Sequence, residues 1–259
     1  MKIYIKVIMI LLIPLLLIVA YGLSDKYLPT EDFALEKVNF SEVEEWFGND
    51  SLSADTIDSV ALNKPKEVEL DTASQRILFF GDSMLEGLGR RMCDYAMENG
   101  HEYTSVCWYS STSEIWANTD TLQYFIRETK PTFIMICLCS NEQFVRDLQK
   151  REKYVETIID KIGDIPYVWI SPPSWKEDTG INNIIRTKVG KKRYFDSTKL
   201  EYERGKDHVH PTFASAEVWM DSIAVWMQST KVEHPIKMAP PTEERPRKWD
   251  GKYLKPYEQ

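Results

Sequence analysis

Between residues 75 and 228 the chain alternates short apolar runs with longer amphipathic ones, and that alternation leaves few folds open to it. Ile77–Phe80, Tyr103–Trp108, Phe133–Leu138 and Tyr167–Ile170 are four to six residues long and rich in aromatic and β-branched side chains, as buried strands are. A shorter strand is expected at Arg193–Phe195. Met84–Glu98, Ser113–Thr129, Phe144–Ile162, Ile181–Val189 and Ala214–Gln228 carry helical spacing, and Asn99-Gly100 and Gly163 supply helix stops. Strands separated by helices of this length must pair in parallel, because the connection has to return to the same end of the sheet. The expected fold class is α/β, a three-layer α/β/α sandwich around a central, mostly parallel five-stranded sheet. In such sheets ligands sit beyond the carboxyl ends of the strands, so the residues that follow each strand are the ones to inspect.

Segments of different character flank this region. Val7–Ala20 is an unbroken apolar run, preceded by Lys2 and Lys6. Counted to Leu23 it spans about 25 Å as a helix, against about 30 Å for a bilayer core. Residues 1–23 are expected to be a membrane anchor with a cytoplasmic N-terminus, which places the rest of the chain outside. A cleaved signal segment ending at the small-x-small site Ala20-Tyr21-Gly22 is the rival reading. Residues 24–74 are acidic and mixed, with a helix-like patch over Phe40–Phe47, and are read as a stalk or N-terminal wrap. Residues 229–259 hold Pro235, Pro240, Pro241, Pro246 and Pro256 among charges, which suits an extended surface segment or a disordered end.

Charge and cysteine content narrow the partners. A formal net charge of −8 argues against nucleic acid, whose phosphates call for a basic face. Cys93, Cys107, Cys137 and Cys139 form no CxxC pair, no HExxH sequence is present, and no metal or other cofactor is expected. A disulfide from Cys107 to a neighbouring strand and buried thiols are both compatible with the cysteine spacing. Lys188, Lys191, Lys192 and Arg193 read as a solvated basic face.

Three strand-end segments carry chemistry. Gly81-Asp82-Ser83-Met84 puts a serine at a strand-to-helix turn, where helix N–H groups offer positive potential to an oxyanion; a helix cap is the plainer role. Cys139-Ser140-Asn141-Glu142 puts an amide donor after the third strand. Asp207-His208-Val209-His210-Pro211 spaces a carboxylate three residues from an imidazole, close enough for one loop to join them, with His208 as the competing imidazole.

In order and separation these blocks resemble the SGNH/GDSL hydrolase family over residues 75–228. Gly81-Asp82-Ser83-Met84 is similar to the family's first block, Cys139-Ser140-Asn141-Glu142 to its GxND block, and Asp207–Pro211 to its DxxHP block. The resemblance implies a flavodoxin-like sheet and a triad of Ser83 as nucleophile, His210 as base and Asp207 as its orienting acid. It also implies an oxyanion hole from the Ser83 N–H, the Ser110 N–H and the Asn141 side chain. Three positions depart from the pattern: Ser110, with Ser111 as the alternative, and Cys139 stand where glycines are expected, and Glu142 stands for Asp. Trp116 and Trp175 are candidate rim residues for a sugar ring, with packing as their alternative role. The expected function is an extracytoplasmic serine esterase or O-acyltransferase acting on acyl, chiefly acetyl, esters of an envelope or exported polysaccharide. The resemblance allows a membrane-bound O-acyltransferase as partner. A degenerate domain of the same kind that binds or assembles glycan without turnover is the competing expectation.

Overall fold

The structure is a computed structural model, and it describes residues 69–242 and 251–255, all within the unit running from Asn63 to Gln259. The anchor or signal segment, and the helix-like patch at Phe40–Phe47, lie outside the described residues. Among the described residues no helix is long and apolar enough to cross a membrane.

Six strands form one sheet: β1 (Arg76–Gly81), β2 (Glu102–Trp108), β3 (Phe133–Cys137), β4 (Tyr167–Ile170), β5 (Tyr194–Phe195) and β6 (Lys252–Leu254). Their spatial order is β5-β4-β3-β1-β2-β6, and every pairing is parallel. Helices α1 (Leu85–Asn99) and α6 (Phe213–Met227) cover one face. Helices α2 (Ser113–Asn118), α3 (Thr121–Thr129), α4 (Leu148–Ile162) and α5 (Ile181–Val189) cover the other.

Strand alternation assigns the core residues to these two faces. Ile77 and Phe79 point toward α1 and α6, whereas Leu78 and Phe80 point toward the α2–α5 side. All four are essentially withdrawn from water, and each contributes about 2–3 kcal/mol of burial. Gly100 ends α1 in the left-handed region at φ 69°, where its N–H bonds the Ala96 carbonyl.

The structure differs from the sequence expectation in four places. The sheet has six strands rather than five, because residues 252–254 of the proline-rich tail pair with β2. The tail also enters the core: Val232, Ile236 and Met238 are buried, and Asp71 exchanges backbone hydrogen bonds with Pro235 and Lys237. The folded body thus extends beyond 75–228 at both ends. The expected helix over Ser113–Thr129 is two helices, broken at Thr119, whose backbone is extended. Lys161 Nζ donates to the carbonyls of Trp116, Ala117 and Thr119, so a cation on α4 satisfies the end of α2 and holds the break. Finally, α4 begins at Leu148 rather than Phe144.

Candidate active site

Strands β1, β2 and β3 end side by side, and the loops that leave them carry the chemistry. Gly81 closes β1 against β3 so tightly that an added Cβ would lie 1.8 Å from the Cys137 carbonyl oxygen. No other residue type fits there. The chain then turns through Asp82 and Ser83 into α1.

Asp82 is fully buried, and its two carboxylate oxygens accept different backbone N–H groups. Oδ1 accepts Met84 N–H at 3.1 Å and Oδ2 accepts Ser140 N–H at 2.9 Å. Burial lifts this carboxyl to about 6, against the lowering effect of those hydrogen bonds and with a further push from nearby Glu142. The aspartate therefore fastens the Asp82-Ser83 turn to the loop after β3.

Ser83 Oγ lies 2.8 Å from His210 Nε2, and His210 Nδ1 lies 2.6 Å from Asp207 Oδ2. The loop between β5 and α6 delivers both partners. Gly205 N–H bonds the His210 carbonyl at 2.8 Å and Arg204 bridges Pro211, so residues 204–211 fold back on themselves. Asp207 Oδ1 accepts the N–H groups of Val209 and His210 at 3.0 and 3.1 Å. These bonds and the His210 ring hold the Asp207 carboxyl well below the usual carboxylate range, although it is open to solvent. His208 is exposed on the same turn at φ 57°, and the imidazole that reaches Ser83 is His210.

In the loops that follow β2 and β3, Ser110 and Cys139 both lie in the left-handed region, at φ 59° and 83°. Glycine adopts that conformation without cost, whereas other residues pay about 1–2 kcal/mol. These are the two positions where the family pattern calls for glycine. Asn141 is exposed, and its Nδ2 donates to the Ser111 carbonyl at 2.9 Å, leaving its second amide hydrogen available. The N–H groups of Ser83 and Ser110 have no acceptor among the described residues. Glu142 is buried and joins the same two loops: it accepts Ser113 N–H at 2.7 Å and Ser113 Oγ at 2.8 Å, and it pairs with Arg151 at 3.0 Å.

The expected aromatic rim is only half present. Trp116 is 0 % exposed, packed against Phe80 with ring centroids 4.6 Å apart, and its indole donates to Ser111 Oγ at 3.0 Å. It is a core residue, because α2 turns its apolar face onto the sheet. Trp175 is half-buried beside the 204–211 loop, edge-on to Phe144 at 5.4 Å and with the Arg204 guanidinium 5.9 Å over its ring.

No disulfide joins the four cysteines. Cys107 and Cys137 flank Gly81 on neighbouring strands, where burial pushes the first thiol up to about 12 and the second well above its ordinary value. Among the described residues no group of three metal-ligating side chains is placed to hold an ion.

Glu86 and Phe213 also border the serine, with Tyr109 bonded to Glu86, and none of the three was singled out from the sequence. Glu86 and Phe213 line a cavity of about 100 Å³ together with Ser83 and His210. Glu86 lies three residues past the nucleophile, a spacing that places it in the same helical turn, but nothing local marks Tyr109 OH as its partner at 2.8 Å. No protein-family model and no curated protein matches the chain, so a functional reading rests on the geometry of this site.

Proposed function

We propose that the chain is a serine ester hydrolase or O-acyltransferase of the SGNH type, acting on acyl esters of an extracytoplasmic carbohydrate. The observation that carries this reading is the unbroken line from Ser83 Oγ through the His210 ring to Asp207, with contacts of 2.8 and 2.6 Å. Serine next to an imidazole that a carboxylate orients is the arrangement acyl transfer requires. Two further features support it. The core strand order β2-β1-β3-β4-β5 is that of the flavodoxin-like sheet, with Ser83 at the switch point between β1 and β3. The positive φ of Ser110 and Cys139 explains how serine and cysteine occupy glycine positions without a change of backbone path.

In the proposed reaction Ser83 Oγ attacks the ester carbonyl while His210 Nε2 takes its proton. The Ser83 and Ser110 N–H groups and the second Asn141 amide hydrogen receive the oxyanion. His210 then returns the proton to the departing alkoxide, and an acyl-serine remains. Water attacking that ester completes an esterase cycle, and a sugar hydroxyl completes a transferase cycle. Asp207 keeps a proton on Nδ1, so that Nε2 faces Ser83 as an acceptor.

The carbohydrate setting rests on the sequence of residues 1–23, which points outside the membrane, and so does the proposal of a membrane-bound acyl donor partner. A serine-directed fluorophosphonate tests the nucleophile. Wild-type protein is expected to be labelled at Ser83 and Ser83→Ala to remain unlabelled. Absence of labelling in the wild type would favour a glycan-binding domain without turnover.

A further inference from the structure

The side of Ser83 that carries His210 is built from two helix starts. Gly87 on α1 and Ala216 on α6 touch so closely that a Cβ on Gly87 would lie 2.5 Å from Ala216 Cβ. This contact brings the first turns of both helices to the nucleophile. Glu86 and Phe213 consequently face the same cavity as Ser83 and His210.

Both side chains are held in place. Glu86 Oε2 accepts Tyr109 OH at 2.8 Å, and Oε1 lies 3.7 Å from Arg90. The Arg90 guanidinium also sits 4.1 Å over the Phe213 ring. Tyr109 stacks on Tyr253 of β6 with ring centroids 5.9 Å apart and planes 12° from parallel. Phe213 is nevertheless 48 % exposed and Tyr253 46 % exposed. A fixed carboxylate thus lies beside the serine, linked through Arg90 to Phe213 and through Tyr109 to Tyr253, two rings partly open to solvent.

The cavity, at about 100 Å³, admits a few atoms and not a whole ring, so a larger ligand would lie at its mouth, against the exposed aromatics. Aromatic rings receive the apolar C–H faces of a pyranose, and a carboxylate accepts hydrogen bonds from its hydroxyl groups. His210 fixes which part of an ester lies here. Its Nε2 must hand a proton to the leaving oxygen, so the alcohol portion occupies the His210 side of Ser83 and the carbonyl oxygen points to Ser110 and Asn141. We infer that Glu86, Phe213 and Tyr253 form the subsite for the alcohol portion of the substrate, and that this portion is a hydroxyl-bearing sugar ring. The inference rests on the Ser83 reading for its orientation, and on the cleft itself for its chemistry.

Two measurements test it. The first compares kcat/KM for methyl 6-O-acetyl-glucopyranoside with that for ethyl acetate, which has no ring. Phe213→Ala and Glu86→Gln are each expected to lower the ratio of sugar ester to ethyl acetate at least tenfold, and Phe213→Tyr to restore it. A ratio within twofold of wild type in both variants would overturn the subsite while leaving the nucleophile intact. The second needs no turnover: saturation-transfer NMR of methyl glucopyranoside with the Ser83→Ala protein. Transfer to the ring protons, lost on adding Phe213→Ala, is expected even if fluorophosphonate labelling fails. Lack of transfer, or transfer that survives Phe213→Ala, would overturn the subsite whatever the fate of the nucleophile.

Discussion

Asp82 accepts the backbone N–H of Ser140 at 2.9 Å and so ties the residue before Ser83 to the residue before Asn141. One buried carboxylate thus helps set the separation between the proposed nucleophile and the proposed oxyanion donor. Its own ionisation is part of the arrangement.

That carboxyl is raised from 3.8 to about 6 by burial, so the folded protein binds a proton there more tightly than the unfolded chain does. The stabilisation is fully present below pH 3.8 and is lost as the pH rises through about 6. Across that window it amounts to about 3 kcal/mol at about 1.4 kcal/mol per unit. Urea unfolding at pH 5.0 and 7.5 spans about half of this component, and wild type is expected to be about 1.4 kcal/mol more stable at the lower pH on its account, a difference absent from Asp82→Asn. An identical pH dependence in the two proteins would contradict it. Asparagine offers one acceptor oxygen where aspartate offers two, so the variant is also expected to lose at least tenfold in kcat through a loosened Asn141 loop.

Asp207→Asn tests how the imidazole is held. An amide N–H directed at His210 Nδ1 would force the proton onto Nε2, where it blocks acceptance of the Ser83 proton. A fall of roughly 10³–10⁴ in kcat is expected, with KM little changed. Steady-state kinetics on a simple acetyl ester would show this split, and a change confined to KM would count against the assignment.

Ser110→Gly removes a side chain from a backbone at φ 59°. The relief of strain outweighs the greater freedom of glycine in the unfolded chain, and a gain of up to about 1 kcal/mol is expected with activity retained. Ser110→Val puts a branched Cβ in the same conformation and is expected to cost more than about 1 kcal/mol. Equilibrium denaturation of the pair distinguishes a conformational requirement from a side-chain one.

Glu142→Ala removes the most enclosed partner of Arg151, whose side chain is partly buried, and leaves Ser113 N–H without an acceptor. A loss of about 1–3 kcal/mol is expected, read as a lower denaturation midpoint. Glu114 and Asp147 go on pairing with Arg151, so the loss stays below that of an uncompensated buried charge.

Much of this was legible in the chain itself. Strands such as Ile77–Phe80 and Phe133–Cys137 are apolar without interruption because both faces are covered, and Gly100 and Gly163 mark true helix ends. Ser83, His210 and Asp207 were legible because they follow strands or precede a helix, where a parallel sheet gathers its loops. Features decided by distant partners were not. The break at Thr119 depends on Lys161, more than forty residues away. β6 has three residues and no periodicity, and only its pairing with β2 makes it a strand. Trp116 was open to either a rim or a packing role, and only the turn of α2 that sets it on Phe80 decides for packing. Phe213 and Tyr253 reach the site from a helix start and from the tail, a juxtaposition that no local pattern encodes.

The strands at the two margins of the sheet are only two and three residues long. A parallel sheet has no closed rim, and its outermost backbone is the natural template on which another chain can add itself. Strands this short offer such an intruder only two or three residues of backbone each. The tail segment that carries Tyr253 pairs with Val106–Trp108 and so covers the outer edge of β2 at its carboxyl end, where such an addition would meet the loops that follow the strands.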